Sequence, residues 1–286
     1  MSELRNKMKM YMELKGYSSI TTKYYLTHIS NFAKFYNKSP HLLGEKEICG
    51  YLHYCITEKH LTEGSVGAIY NALKILYTKV LMQTWDVNKI PRIKERRRLP
   101  IALSPEEIKA IFDVVENIKH KAILMTIYSG GLRVSEVCNL KVTDIDSKNM
   151  QIFIRQGKGK KDRYTLLSKA NLQILREYWK KYHPTDFLFS GRYHTDAITP
   201  RSVQRIFEKA LKKAGITKNA TVHTLRHSFA THLLDAGTDI CYIQRLLGHT
   251  RISTTTIYLH LRRMDLLSIK SPLDILLGEI GRAHVW

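Results

Sequence analysis

His223, Arg226, His249 and Tyr258 fall within one C-terminal region of the chain. It runs from Thr221-Val-His-Thr-Leu-Arg-His-Ser-Phe-Ala-Thr-His-Leu-Leu through Leu247-Gly-His249 to Tyr258. Arg133 stands far upstream, in Gly130-Gly-Leu-Arg-Val-Ser-Glu136. Together these residue types suit a single phosphate. Two arginines neutralise its oxygens, histidines donate or shuttle protons, and a tyrosine hydroxyl can attack phosphorus.

Strand cleavage without a metal makes specific demands. A phosphodiester is negative and repels nucleophiles, and its pentacoordinate transition state spreads more charge over the non-bridging oxygens. Preorganised cations aimed at those oxygens are the strongest aid. Arginine suits the task because its planar fork grips two oxygens and stays protonated. Arg133 and Arg226 are the candidates. Arg133 follows a Gly-Gly break at a helix start, where backbone N–H groups also favour an anion. His223 and Arg226, three apart, share one helix face. His249 follows Gly248, the expected C-cap of a helix from Ile240 to Leu247 whose N-cap is Asp239. A tyrosine hydroxyl has a pKa near 10, a deficit of roughly 4 kcal/mol at neutral pH. Nearby cations and an imidazole base can offset it. The leaving 5′ oxygen needs a proton in return. Lys158, on the Gly157-Lys158-Gly159 turn, is the candidate general acid, because lysine shifts its pKa readily when crowded or desolvated.

Blander readings compete at several positions. The chain has 16 tyrosines, so residue type alone selects nothing; the spacing from His249 and the two arginines selects Tyr258. Tyr242 sits in the apolar pattern Ile240, Ile243, Leu246, Leu247 and reads as packing. His223 and His227 form H-x-x-x-H, but Thr224 stands where a zinc protease has glutamate, so no metal site is expected. His227 and His232 read as structural. The glycine turn at Lys158 lacks the P-loop pattern. Arg262 and Arg263 read as a solvated face or a phosphate contact.

The elements that must position these residues fall into two groups. Residues 1–85 read as a helical domain, with apolar residues recurring every three or four positions. Examples are Tyr25, Ile29, Phe32, Tyr36 and the seam Val66, Ile69, Leu73, Leu76, Val80. Gly16, the Asn37–Pro40 stretch and Glu63-Gly64 mark breaks. Residues 86–100 form a basic linker. Two prolines favour an extended chain there, and Arg92, Lys94, Arg96, Arg97 and Arg98 make it a candidate strap along DNA. Residues 101–278 form the second domain. Ser104-Pro-Glu-Glu107 opens it with a capping box, and an apolar helix ends at Ser129-Gly130-Gly131. Gln151–Arg155 and Arg163–Leu167 read as two strands, with Lys158, Lys160 and Lys161 on the turn between them; Lys160 and Lys161 are further DNA-contact candidates. Residues 279–286 read as the translation of a sequencing-adapter sequence and stay outside the functional reading.

Composition narrows the class. Apolar residues make up 44%, enough for a packed core. Net charge is +21, from 46 basic and 25 acidic residues, which favours a polyanion partner through counterion release. Four scattered cysteines form neither a disulfide framework nor a zinc pair, so a cytoplasmic protein is expected. No run of apolar residues is long enough for a membrane span.

The ordered set Arg133, Lys158, His223-Thr-Leu-Arg226, His249, Tyr258 resembles the tyrosine recombinase or phage integrase family, Xer-like enzymes among them. The resemblance covers residues 1–276. Lys270-Ser-Pro-Leu-Asp274 also resembles the C-terminal end of integron integrases. The interval from Arg163 to Thr221, however, is short for the extra helix those enzymes carry. The resemblance implies a mainly α fold: a helical core-binding domain, and a mostly α catalytic domain with a small antiparallel β-sheet. It implies that Tyr258 attacks phosphorus to give a 3′-phosphotyrosine link and a free 5′-hydroxyl, with no metal, ATP or other cofactor. Glu136 matches the acidic position after the first arginine, in a supporting role. Site-specific integration, excision or resolution of double-stranded DNA is then expected. The assembly would be a homotetramer, or a pairing with a paralogue, on two duplexes. The residues 264–277 would dock on a neighbouring protomer. The alternatives are a type IB topoisomerase-like enzyme and a catalytically silent DNA-binding regulator.

Overall fold

A computed structural model describes residues 2–93, 100–155, 162–191 and 196–261, without the side chains of residues 2, 260 and 261. The chain divides into two compact units, Met1–Arg98 and Leu99–Trp286.

The first unit is built on four helices: α1 (Ser2–Leu14), α2 (Ser19–Tyr36), α3 (Glu45–Thr57) and α4 (Glu63–Ile75). Met8, Met12, Phe32, Ile48, Leu73 and Leu76 form its centre. Their three- and four-residue spacing puts each on the inward stripe of its helix. Ser18 caps α2 by accepting from Thr21 N (3.1 Å). The expected break at Glu63-Gly64 lies one turn earlier. Thr62 accepts from Ser65 N, which makes Glu63 and Gly64 the first turn of α4. The seam runs on through a wider turn at Leu76–Val80, and packing of this unit continues through Trp85 to the buried Ile90.

The second unit surrounds α6 (Ile118–Gly130), apolar on most sides because it is buried between α8 (Lys169–Tyr182) and α10 (Val222–Asp235). Around it lie α5 (Pro105–Asp113), α7 (Val134–Cys138), α9 (Pro200–Lys213) and α11 (Ile240–Leu247). Ser104 and Glu107 form the expected capping box of α5. The sheet has three antiparallel strands rather than two: β1 (Ile145–Asp146), β2 (Gln151–Ile154) and β3 (Arg163–Leu166), in that order. β1 is two residues long, too short to show alternation. In the β2–β3 register Ile152 faces Thr165 and Ile154 faces Arg163. Thr165 donates to Gly130 O (2.7 Å), which ties the sheet to the end of α6.

A smaller core joins Phe229, Leu234, Ile243, Leu247 and Tyr258. Tyr242, expected to pack, is instead 63% exposed. α11 buries only Ile243 and Leu247, one stripe of its surface. Cys55 and Cys138 are buried, Cys241 is exposed, and all four thiols are free. No helix among the described residues is long and apolar enough to cross a membrane.

Candidate active site

Arg133 is placed by a sharp chain reversal. Gly131 caps α6 at φ 61°, and Arg133 becomes the N-cap of α7. A Cβ at Gly131 would collide with the Phe229 ring, so glycine is required for packing as well as for φ. The start of α7 does hold an anion, but it is internal. Glu136 accepts from Arg133 N (2.8 Å) and from Arg133 Nη1 (2.7 Å). An internal carboxylate thus takes the N–H of Arg133 itself at this helix start.

Glu136 is the hub of the site. Both nitrogens of the Arg163 fork donate to its two oxygens, each at 2.8 Å. Arg226 Nη1 lies 3.7 Å away. Burial raises the pKa of this carboxyl, but the bonds and charge of Arg163, then those of Arg133, override it and hold the value at about 2.

Arg226, on α10, is 1% exposed. Nη1 donates to Gly131 O (2.6 Å) and Nη2 to Leu247 O (2.6 Å). Burial, then Arg133, lowers its pKa to about 9, which leaves the guanidinium charged at neutral pH. Its position is fixed by the ends of α6 and α11. Arg133 differs: its side chain is 19% exposed. Among the described residues its Nη2 makes no hydrogen bond within the protein. Arg163 uses all three of its nitrogens internally, the third (Nε) on Leu246 O (2.8 Å). The outward donors therefore belong to Arg133, and Arg226 backs them from beneath.

His249 sits just past Gly248, which caps α11 at φ 64° as expected, with Asp239 at the other end. Arg226 Nη2 is 3.1 Å from His249 Nε2. A guanidinium only donates, so Nε2 is the acceptor, and the ring proton lies on Nδ1 and donates to Thr255 Oγ1 (2.9 Å). Burial and then Arg226 push its pKa down to about 3, so the imidazole is neutral. In this state it orients Arg226 and has no proton to give at Nε2.

His223 occupies the first turn of α10, exposed, on the face that carries Arg226. Burial of part of the ring, then Arg226 and Arg133, lowers its pKa. Tyr258 lies on a short helical turn, Thr256–Leu261, 2% exposed. Its hydroxyl is 3.0 Å from His227 Nδ1. His227, which reads as structural in the sequence, thus stands beside the candidate nucleophile. His232 bonds Tyr128 Oη (2.8 Å), a structural role.

Arg163 was missed altogether. Alternation along β3 puts it on the inner face with the buried Thr165, and an inward arginine demands a buried partner. Arg92 is exposed. Lys158, Lys160, Lys161, Lys94, Arg96, Arg97 and Arg98 lie outside the described residues, as do Arg262, Arg263 and the segments 264–277 and 279–286.

Residues 102–264 match the model of the phage integrase family, and residues 4–87 match that of the phage integrase N-terminal SAM-like domain. The putative integrase/recombinase y4qK of Sinorhizobium fredii is 40% identical over 277 residues, 96% of this chain and 90% of that one. Tyrosine recombinase XerA of Pyrococcus horikoshii is 35% identical over 260 residues, 90% of this chain and 88% of its own. The crystal structure of the XerH site-specific recombinase, bound to palindromic difH substrate in a post-cleavage complex, shares the fold. Its TM-score is 0.72 at 23% identity, covering 91% of this chain and 80% of that one.

Proposed function

This chain belongs to the phage integrase family and is a tyrosine-type site-specific recombinase, and we propose that Tyr258 is its nucleophile. Tyr258 Oη attacks phosphorus, forms a 3′-phosphotyrosine bond and releases a 5′-hydroxyl. Bond energy is kept in the ester, so neither metal nor ATP is needed. The 5′-hydroxyl of a partner strand then reverses the step.

Arg133 grips the non-bridging oxygens with its outward donors, Arg226 adds its charge from beneath, and His223 contacts the same phosphate from the exposed end of α10. Glu136 and His249 hold the arginines in place. Lys158 protonates the leaving oxygen. The observation that carries this reading is the arginine cluster around Glu136, whose buried member Arg226 lies on the same helix that contacts Tyr258 through His227. Three arginines share this one carboxylate, and the excess positive charge suits an anionic ligand.

The partner is double-stranded DNA carrying recombination sites; the net charge of +21 favours it, and the similar XerH recombinase is bound to a palindromic difH substrate. Residues 1–85, within the first unit, are the core-binding domain and residues 101–278 the catalytic domain. Arg92, Lys94, Arg96, Arg97, Arg98, Lys160 and Lys161 contact the backbone. Four protomers act on two duplexes, with residues 264–277 of one seated on the next. An apolar hollow of about 780 Å³ beside Phe112, Tyr128, Leu166, Phe229 and Leu233 has the chemistry to receive such a leucine-rich segment. Four free thiols fit a cytoplasmic setting.

The test is a nicked suicide duplex carrying the DNA that flanks the gene. A covalent adduct mapped to Tyr258 is expected. An adduct on another side chain, or none, overturns the assignment. A plasmid without the site should stay supercoiled.

A further inference from the structure

Three rings line up along one side of α10. His223 and His227 are one helical turn apart, with ring centroids 4.5 Å apart and nearly perpendicular planes. His227 in turn meets Tyr258, whose ring centroid is 5.7 Å away and whose hydroxyl is within hydrogen-bond reach. A buried phenol O–H requires an acceptor, and His227 Nδ1 is in position to be it. That fixes the imidazole proton on Nε2, on the side away from the phenol.

We propose that His227 is the immediate proton acceptor of Tyr258 during strand cleavage. The inference rests on Tyr258 being the nucleophile. As Oη bonds to phosphorus, the Oη–H bond breaks and its proton moves to His227 Nδ1. The bond from phosphorus to the 5′ oxygen breaks, and that oxygen takes its proton from Lys158. In rejoining, the incoming 5′-hydroxyl loses its proton to Lys158, the Oη–phosphorus bond breaks, and His227 returns its proton to Oη. No proton is left over in either direction.

The surroundings explain why the transfer waits for DNA. In the free protein burial, then His223 and Arg226, hold the His227 pKa down to about 4. Burial also raises the pKa of Tyr258, outweighing Arg226 and Arg133. The proton therefore stays on the phenol. A phosphate seated on Arg133 and Arg226 brings negative charge beside both histidines, which stabilises an imidazolium at position 227. His223 is exposed and makes ring contact with His227. It is His227 whose nitrogen is within reach of the reacting oxygen.

The test separates proton transfer from simple orientation. His227→Gln retains an acceptor oxygen but cannot take a proton. Single-turnover cleavage of the suicide duplex is compared for wild type and His227→Gln, each carrying either tyrosine or a more acidic fluorinated tyrosine at position 258. The variant should be slower by roughly 10²- to 10⁴-fold with tyrosine, and the acidic phenol should recover at least a large part of that loss. Wild-type rates in His227→Gln, or an equal defect with both phenols, would overturn the proposal. Should His227→Gln fail to fold, the wild type answers on a substrate whose 5′ bridging oxygen is replaced by sulfur. That leaving group needs no proton, so a remaining solvent isotope effect reports the phenol proton, and its absence rejects the proposal. Loss of the wild-type Tyr258 adduct would instead sink the assignment of the nucleophile.

Discussion

The Arg163 guanidinium lies square against the Glu136 carboxylate, with two parallel hydrogen bonds of 2.8 Å. The same arginine holds the last turn of α11 through Leu246 O. One arginine thus joins β3 to α7 and α11, whose Glu136 and Leu247 both lie against Arg226.

Replacing Glu136 by Ala leaves Arg163 and Arg226 buried without their shared counter-charge. Removal of one partner from a buried pair costs about 3–5 kcal/mol. The midpoint of urea unfolding for Glu136→Ala should fall accordingly, and cleavage should fall with it. An unchanged midpoint contradicts the hub role.

Acid should destabilise the protein in two stages. His249 and His227, ordinarily protonated below pH 6.5, stay neutral in the fold to about 3 and about 4. Between those values the unfolded chain binds the protons and the folded one does not, so acid favours unfolding. Glu136, ordinarily 4.5, is held at about 2 and adds the same sign of effect in the lower range. Stability is therefore full above about pH 6.5 and falls continuously towards about pH 2. Melting temperatures measured across this range should show the decline, and His249→Gln should flatten its upper part. A melting temperature independent of pH between 6.5 and 4 would refute the depressed histidines.

Gly131→Ala should be far costlier than an ordinary glycine substitution. The residue is at φ 61°, and the added methyl meets the Phe229 ring and Leu247. Left-handed strain and overpacking together suggest about 2–4 kcal/mol. Gly131 O also anchors Arg226, so the variant should lose cleavage activity even at temperatures where it remains folded. Calorimetry and the suicide-duplex assay measure the two effects separately.

Tyr258→Phe removes one oxygen. It should abolish the covalent complex and leave DNA affinity nearly intact, measured by gel shift. Stability should change by about 1 kcal/mol, the loss of the bond to His227. Failure to bind DNA would mean that the residue is misassigned.

Arg226→Ala removes the buried charge of the clamp and leaves Glu136 and two carbonyl groups short of a partner. Cleavage should slow by at least about 10²–10³-fold. Arg226→Lys should rescue little, because one ammonium cannot span Gly131 O, Leu247 O and His249 together. Normal cleavage in either variant contradicts the clamp.

Much of the arrangement was legible because local signals carry it. Asp239 and Gly248 gave both ends of α11, and Ser104 with Glu107 gave the start of α5. The His223–Arg226 spacing gave a shared helix face. What escaped depends on distant partners. Arg163 finds Glu136 from another strand, and His227 finds Tyr258 through a fold that brings a separate helical turn back onto α10. Nothing beside either residue in sequence announces the partner. Tyr242 was misjudged for the opposite reason. Its neighbours are apolar, but α11 touches the core along only one stripe.

Tyr258 lies behind protein walls, its phenol out of reach of bulk water. A chromosome is almost entirely the wrong sequence, and a polycation will brush against it constantly. On the proposed assignment, an encounter that leaves this side chain covered cannot nick a strand. Safety towards the genome is then the resting condition of the molecule, and breakage is the exception that binding must unlock.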